Sequence, residues 1–259
     1  MGCLSSRSNE HFTDVETLIK DFENSLGFNT LDVAIIDRTI HRFSCNQTMS
    51  HAQFNKAFSE LRLNCTSFDS FYRKFFIKNS FHMKKLNALG IILGSSNDTE
   101  KLKFIFQNYD EDVSGNLEFD EVRVLLEDIT QIFCEFIPQY TLSLNSGNSK
   151  MFEYVQTVNS IQKSIVTHII SNLFDGKKTI NVDELIRAYK HDDGVGSILN
   201  PQKLRSYCLL IRKNIIKTVE FAIKTLNQNE PLPDFMIENE EENANKNKRI
   251  KRKSIRRLS

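Results

Sequence analysis

Tryptophan is absent from this 259-residue chain, and glycine (9) and proline (4) are scarce. So few turn-setting residues argue against a sheet sandwich and against a doubly wound fold with a Gly-rich phosphate turn. The five cysteines, at 3, 45, 65, 134 and 208, are odd in number, scattered and without a C-x-x-C pair. They exclude a disulfide framework or zinc site as the organising element, and a reducing compartment is expected. No run approaches the roughly 18 apolar residues of a spanning helix, and the N-terminus has no signal-peptide core. Triplets such as Asn64-Cys65-Thr66 are then not glycan acceptors. A nucleophile elbow, a phosphate-cradling glycine loop and an H-E-x-x-H pair are all missing. The six histidines, at 11, 41, 51, 82, 168 and 191, form no ligand cluster, and an enzyme is not expected.

What is plentiful is phenylalanine, with 20 residues in a chain that is 40% hydrophobic and 26% charged. That mixture predicts helices packed through Phe. The formal net charge of +1 is unevenly spread. Eight of the 34 Lys and Arg and four of the 33 Asp and Glu fall between Glu238 and Ser259, leaving a mildly acidic body and a basic tail. The asymmetry points to an anionic partner for the tail.

Asp110-Glu111-Asp112-Val113-Ser114-Gly115-Asn116-Leu117-Glu118-Phe119-Asp120-Glu121 has the spacing of a twelve-residue EF-hand calcium loop, with Ser114 in the third ligand place. A hard cation of this kind takes six to eight oxygens. Asp110, Asp112 and Ser114 supply side-chain oxygens, and Asn116 its carbonyl. Glu118 ligates directly or through water, and Glu121 gives a bidentate carboxylate. Gly115 permits the sharp turn. Lys101–Tyr109 reads as the entering helix. Phe119–Phe136 reads as the exit helix, with Val122, Leu125, Leu126, Ile129, Ile132 and Phe133 at helical spacing. The cofactor expected is one Ca²⁺, with Mg²⁺ as an alternative.

A lone EF-hand leaves apolar helix faces uncovered, so partner units are expected. One runs from an entering helix at Met151–Leu173 to an exit helix at Val182–Lys190. Its loop has Leu173, Asp175 and Lys177 where oxygens are needed. Ile35–Leu63 reads as helix, irregular piece, helix, with no carboxylate in the middle around Arg42–Gln53. Phe68–Leu93 is a further unit whose would-be loop, near Phe75–Leu86, is apolar and basic (Phe76, Lys78, His82, Lys84, Lys85). For these two, ordinary helical hairpins are the alternative. Leu142–Lys150 reads as a loop insertion.

The chain starts Met1-Gly2-Cys3-Leu4-Ser5-Ser6-Arg7, which fits the M-G-x-x-x-[ST] myristoylation pattern, with Cys3 as a palmitoylation site. One myristate binds membranes marginally, and a second signal makes residence durable. Together with the loop, and with Asn87–Asp110 as the connection between second and third hands, this start resembles the N-myristoylated calcium sensors. These comprise the neuronal calcium sensor (recoverin-like) proteins, calcineurin B and the plant calcineurin B-like proteins. The resemblance covers roughly residues 1–191. Phe43-Ser44-Cys45 is similar to the disabled first loop of the neuronal group, but the Pro after that Cys is missing and the spacing is one residue shorter. Only one competent loop is present, a departure that removes strong cooperativity. The resemblance implies a sensor that exposes an apolar groove to a target helix when loaded. Phe104, Phe106, Phe119, Phe133 and Phe136 either line that groove or belong to the core.

From Pro201 to Gln228, Leu204, Cys208, Ile211, Ile215, Val219, Ala222 and Leu226 form one stripe, decorated by Arg205, Arg212, Lys213, Lys217 and Lys224. Three roles stay open for this helix: a core element, an occupant of the body's own groove, or a membrane-surface or calmodulin-type target helix. Beyond Pro231 and Pro233 the tail has too little apolar payload for a core and is expected to be disordered. Its eight positive charges suit an anionic leaflet. Ser254 and Ser259 sit in basophilic kinase contexts, where phosphate would weaken attachment. A nuclear or nucleic-acid patch and a solubilising tail are the alternatives, with nucleic acid not favoured.

The expected architecture is therefore all-α, with two EF-hand pairs, a C-terminal amphipathic helix and a basic tail. Its parts are an acylated anchor (1–10), a degenerate pair (11–94), a pair with one calcium site (95–192), the amphipathic helix (193–230) and the polybasic tail (231–259). The expected role is a calcium sensor, peripheral on the cytoplasmic face of a membrane, regulating a kinase, phosphatase, cyclase or channel. The alternative is a constitutive regulatory subunit or scaffold of a kinase or phosphatase.

Overall fold

The computed structural model describes residues 12–228. The expected anchor with Gly2 and Cys3, and the tail with Ser254 and Ser259, lie outside the described residues. What is described is mostly helical, with small antiparallel sheets. None of its helices is long and apolar enough to cross a membrane.

In the body, up to Ile211, α1 (Thr13–Ser25) precedes a unit made of α2 (Val33–Phe43), β1 (Thr48–Met49) and α3 (His51–Glu60). Asp32 caps α2, and Ser50 with Gln53 forms a reciprocal capping box on α3. A short helix α4 (Asp69–Tyr72) leads to β2 (Phe76–Ile77), β3 (Ser80–His82) and α5 (Met83–Leu93). Strand β3 pairs with both β1 and β2. The third unit is α6 (Asp98–Tyr109), β4 (Asn116–Glu118) and α7 (Phe119–Thr130). A wide π turn (Gln131–Phe136) then carries the chain into α8 (Ile137–Leu144), followed by α9 (Ser149–Ser160). The fourth unit is α10 (Gln162–Phe174), β5 (Thr179–Asn181) and α11 (Val182–His191), with β5 antiparallel to β4. Helix α12 (Pro201–Gln228) begins in the body.

Several expectations are corrected. Phe75–Leu86 is not a loop. Lys78 and Asn79, at φ 49° and 70°, form a tight two-residue hairpin, and Met83 already begins α5. The helix expected over Met151–Leu173 breaks at Ile161, whose N–H bonds back only three residues to Val158. The Leu142–Lys150 insertion narrows to a turn over residues 145–148 between α8 and α9. The exit helix expected to Phe136 is regular only to Thr130, because Pro138 has no N–H to continue the ladder. The Ile137 N–H reaches Ile132 O, one residue further back than in an α-helix. In that spacing Pro138 would serve the carbonyl of Phe133 but cannot donate, and the Nη1 of Arg205 donates to it instead at 3.2 Å.

Helix α5 is buried on every side from Met83 to Ile92, which makes it central to the core. A Cβ at Gly90 would stand 2.6 Å from Ile36 Cγ2, so glycine permits the close approach of α2. Phe54 stacks on Phe81 at 4.1 Å and meets Phe58 at 4.2 Å, tying α3 to β3 through aromatic faces. The proximal part of α12 is core, with Leu204, Arg205 and Cys208 fully buried. Arg205 is expected to decorate the apolar stripe of this helix. It instead pairs with Glu16 (2.8 Å) and Glu23 (2.8 Å) of α1, while Tyr154 of α9 donates to Glu16. The buried sulfurs of Cys134 and Cys208 lie 3.8 Å apart as free thiols.

A second unit begins at Arg212. In it, Ile215, Ile216 and Val219 of α12 are exposed. The stripe therefore has two fates, core up to Cys208 and exposed at Ile215 and Val219. The side chain of Leu226 lies outside the described residues.

Replacing Arg205 with alanine leaves two buried carboxylates without their cation, and a loss of about 3–5 kcal/mol is expected. Urea unfolding measures it. A loss under about 1 kcal/mol would mark the pair as no stronger than a surface bridge.

Candidate metal centre

The acidic loop connects α6 and α7, and each end is set by local chemistry. Asn97 caps α6 by accepting from the N–H of Glu100 at 3.0 Å. Asp110 ends that helix. Val113 (φ 57°) and Gly115 (φ 74°) then take left-handed backbone, which reverses the chain within a few residues. Leu117 is buried and sits opposite Ile180 in the β4–β5 pair, so the loop is anchored to the fourth unit at its eighth position.

Oxygens of Asp110, Asp112 and Glu121 lie within 4.8 Å of one another, and no other such group of three or more His, Cys, Asp or Glu occurs among the described residues. Oxygens about 2.4 Å from a common centre can be at most about 4.8 Å apart, so the three are near enough to one another to share an ion of calcium size. The loop's own amides hold them. Ser114 N–H donates to Asp110 Oδ1 and Asp112 Oδ1, both at 3.0 Å, and Gly115 N–H donates to Asp110 Oδ2 at 3.0 Å. Glu121 accepts at both oxygens, from Glu111 N–H at 2.9 Å and Glu118 N–H at 2.8 Å. A carboxylate oxygen has two lone pairs, so each Glu121 oxygen retains one for a cation. The Ser114 hydroxyl donates to the Asn116 carbonyl at 2.8 Å, which brings these two expected ligands together as well. Hydrogen bonds from Ser114 hold the Asp112 carboxyl below its ordinary value, so it stays ionised in mild acid. Glu118 is the exception: it is exposed at the start of α7 and its carboxylate does not join the triad.

The fourth unit's loop has no comparable set. Lys177 Nζ donates to Glu184 Oε1 at 2.7 Å, so a tethered ammonium meets the carboxylate of the last loop position. That contact lowers the Glu184 pKa, with help from the Asn181 N–H.

Sequence reading missed the polar groups behind the loop. Lys84 of α5, almost wholly buried, pairs with Glu111, the residue after the first ligand. Lys85 Nζ pairs with Asp128 at 2.9 Å, and Tyr109 Oη donates to Asp128 Oδ2 at 3.0 Å. Burial, and next the Asp128 carboxylate, push the Tyr109 pKa far up and keep its hydroxyl a donor. The available signal was Asp128 itself, a carboxylate inside the apolar stripe of Leu125 and Ile129. Of the five phenylalanines considered for a groove, Phe106, Phe133 and Phe136 are buried and Phe104 is partly buried. Phe119 is exposed, tilts against Phe174 at 5.6 Å, and lines a cavity of about 890 Å³ with Val166 and Ile170.

No family model, curated protein or solved structure matches this chain.

Leu117→Ala removes the buried side chain that seats the loop, at a cost of about 2–4 kcal/mol. Chemical denaturation without metal checks this, and an unchanged midpoint would show that the strand pair does not seat the loop.

Proposed function

We propose that this chain is a calcium-binding regulatory protein with four EF-hand units in two pairs, of which only the third binds an ion. The observation that carries the reading is the assembly of Asp110, Asp112 and Glu121 within one ion's coordination span. The left-handed Gly115 and the Leu117–Ile180 pairing support it, because a paired EF-hand needs both the turn and the bridging strand. Pairing of β1 with β3 supports a corresponding union in the first half.

Bound Ca²⁺ supplies a doubly charged centre for hard oxygen ligands. The chain's residues do the rest. Asp110, Asp112 and Glu121 bring the carboxylates, Ser114 and Asn116 add neutral oxygens, and Glu118 is positioned for contact through water. The target is a protein helix of a kinase, phosphatase, cyclase or channel. It is received in the cavity beside Phe119, Val166 and Ile170, whose rim carries Arg123, Glu127 and Lys163. Acylation at Gly2 and Cys3 and the basic tail attach the protein to an anionic cytoplasmic leaflet, and phosphate on Ser254 or Ser259 weakens that attachment.

A second reading is a constitutive regulatory subunit or scaffold, which the convergence of Asp110, Asp112 and Glu121 suits equally well. Calorimetric titration separates the two. A sensor fills its site between about 10⁻⁷ and 10⁻⁵ M calcium, and a permanent site is full throughout that range.

One ion per chain is expected, and Glu121→Gln should weaken binding at least tenfold, about 1.4 kcal/mol or more. Unchanged affinity in that variant removes the proposed site. Lys177→Ser should leave the stoichiometry at one, because Leu173 offers no oxygen at the first position. A second bound ion would contradict the inactive assignment of the fourth loop.

A further inference from the structure

We propose that Lys85, Tyr109 and Asp128 are positioning residues for the candidate metal centre, through which the first half of the body holds the single acidic loop in its binding geometry. The inference rests on the reading that the loop takes a divalent cation, and extends it to the half of the body that has no acidic loop of its own.

Tyr109 is the last residue of α6 and immediately precedes Asp110. Asp128 lies seven residues after Glu121, two turns along the same face of α7. The Tyr109–Asp128 hydrogen bond (3.0 Å) therefore joins the helix entering the loop directly to the helix leaving it. Lys85 of α5 closes the arrangement from the other side, pairing with Asp128 Oδ1 at 2.9 Å and donating to Gln131 in the π turn. The Lys85 and Asp128 side chains are only 10% and 9% exposed, so water offers little substitute for either partner. A second tie runs from the neighbouring Lys84 to Glu111, whose N–H in turn holds Glu121 Oε1. Two consecutive lysines of one central helix thus grip the start of the loop and the helix that follows it.

The sign of the effect follows from what coexists. The ligand triad is assembled in the same arrangement in which the Lys85–Asp128–Tyr109 contacts are intact, so occupying the site does not require breaking them. An α-helix transmits position along its axis, so holding Asp128 fixes where Glu121 can reach. Releasing it lets α6 and α7 drift apart, and the lost order must be recovered at each binding event, which lowers affinity. A buried ion pair that only stabilised the fold would leave the affinity of the folded protein alone.

Calcium titration calorimetry on the full chain, at a temperature where each variant is folded, is the test. Lys85→Met is expected to raise the calcium Kd about three- to tenfold, the size of one buried polar contact. Tyr109→Phe is expected to raise it about threefold, and it keeps the ring that fills the core. Lys85→Arg, which keeps the charge against Asp128, should bind within about twofold of the parent chain. Amide hydrogen exchange of Gly115 and Glu118, held by Asp110 and Glu121, should be faster in Lys85→Met without any metal. Parent-like calcium affinity in folded Lys85→Met or, should that variant not fold, in Tyr109→Phe overturns the inference and leaves the metal site standing. A parent chain that binds no calcium overturns the proposed function and this inference together.

Discussion

A guanidinium sealed from water where α12 meets α1 is the constraint on which the body's arrangement depends. Desolvating that charge costs several kcal/mol unless every donor finds an acceptor. Glu16 and Glu23 supply opposite charge, and the Phe133 carbonyl supplies a neutral acceptor. That carbonyl is free because Pro138 cannot bond it, so one imino acid in α8 and one guanidinium in α12 are matched across the core. The contacts span up to 189 residues of sequence, so α1, the π turn, α9 and α12 must all be in place together.

Around this closure, the two halves of the body are chemically unlike. The first half is dominated by aromatic packing, and its second unit spends its loop on a two-residue hairpin that leaves no room for an ion. The second half has one acidic loop, and in its other loop Lys177 pairs with Glu184. Helix α5 connects them: apolar surface faces nearly every neighbour, while Lys84 and Lys85 each pair with a carboxylate and Asn87 Nδ2 donates to Asp37. Packing alone would position α7 to within the slack of apolar contacts. The directional bonds from Lys85 and Tyr109 to Asp128 are tighter constraints on where α7 lies.

Much of the acidic cluster could be read directly because the loop that carries it is local. Twelve consecutive residues contain the donors, the glycine turn and the strand residue, and backbone geometry over that span follows from residue type. Asp110, Asp112 and Glu121 converge as their spacing predicts, whereas Glu118 does not join them: its carboxylate remains at the exposed start of α7. The helices flanking the third and fourth loops were legible by periodicity. Their ends were less so, since a break at Ile161 and a π turn before Pro138 depend on hydrogen bonds several residues away.

By itself, the order of residues determined the helical character, the acidic loop and its oxygen-bearing side chains, and the lack of carboxylates in the first half's loops. Each follows from short-range spacing or side-chain chemistry. The tertiary structure decided what the charged residues do. Arg205 and Lys84 read only as a decoration of an amphipathic helix and as part of a basic loop, and both are buried where a carboxylate far away in sequence arrives beside them. It also decided that the stripe of α12 is core at Cys208 and exposed at Ile215. Helical periodicity marks which face is apolar, but only the packing of other segments determines whether that face is covered.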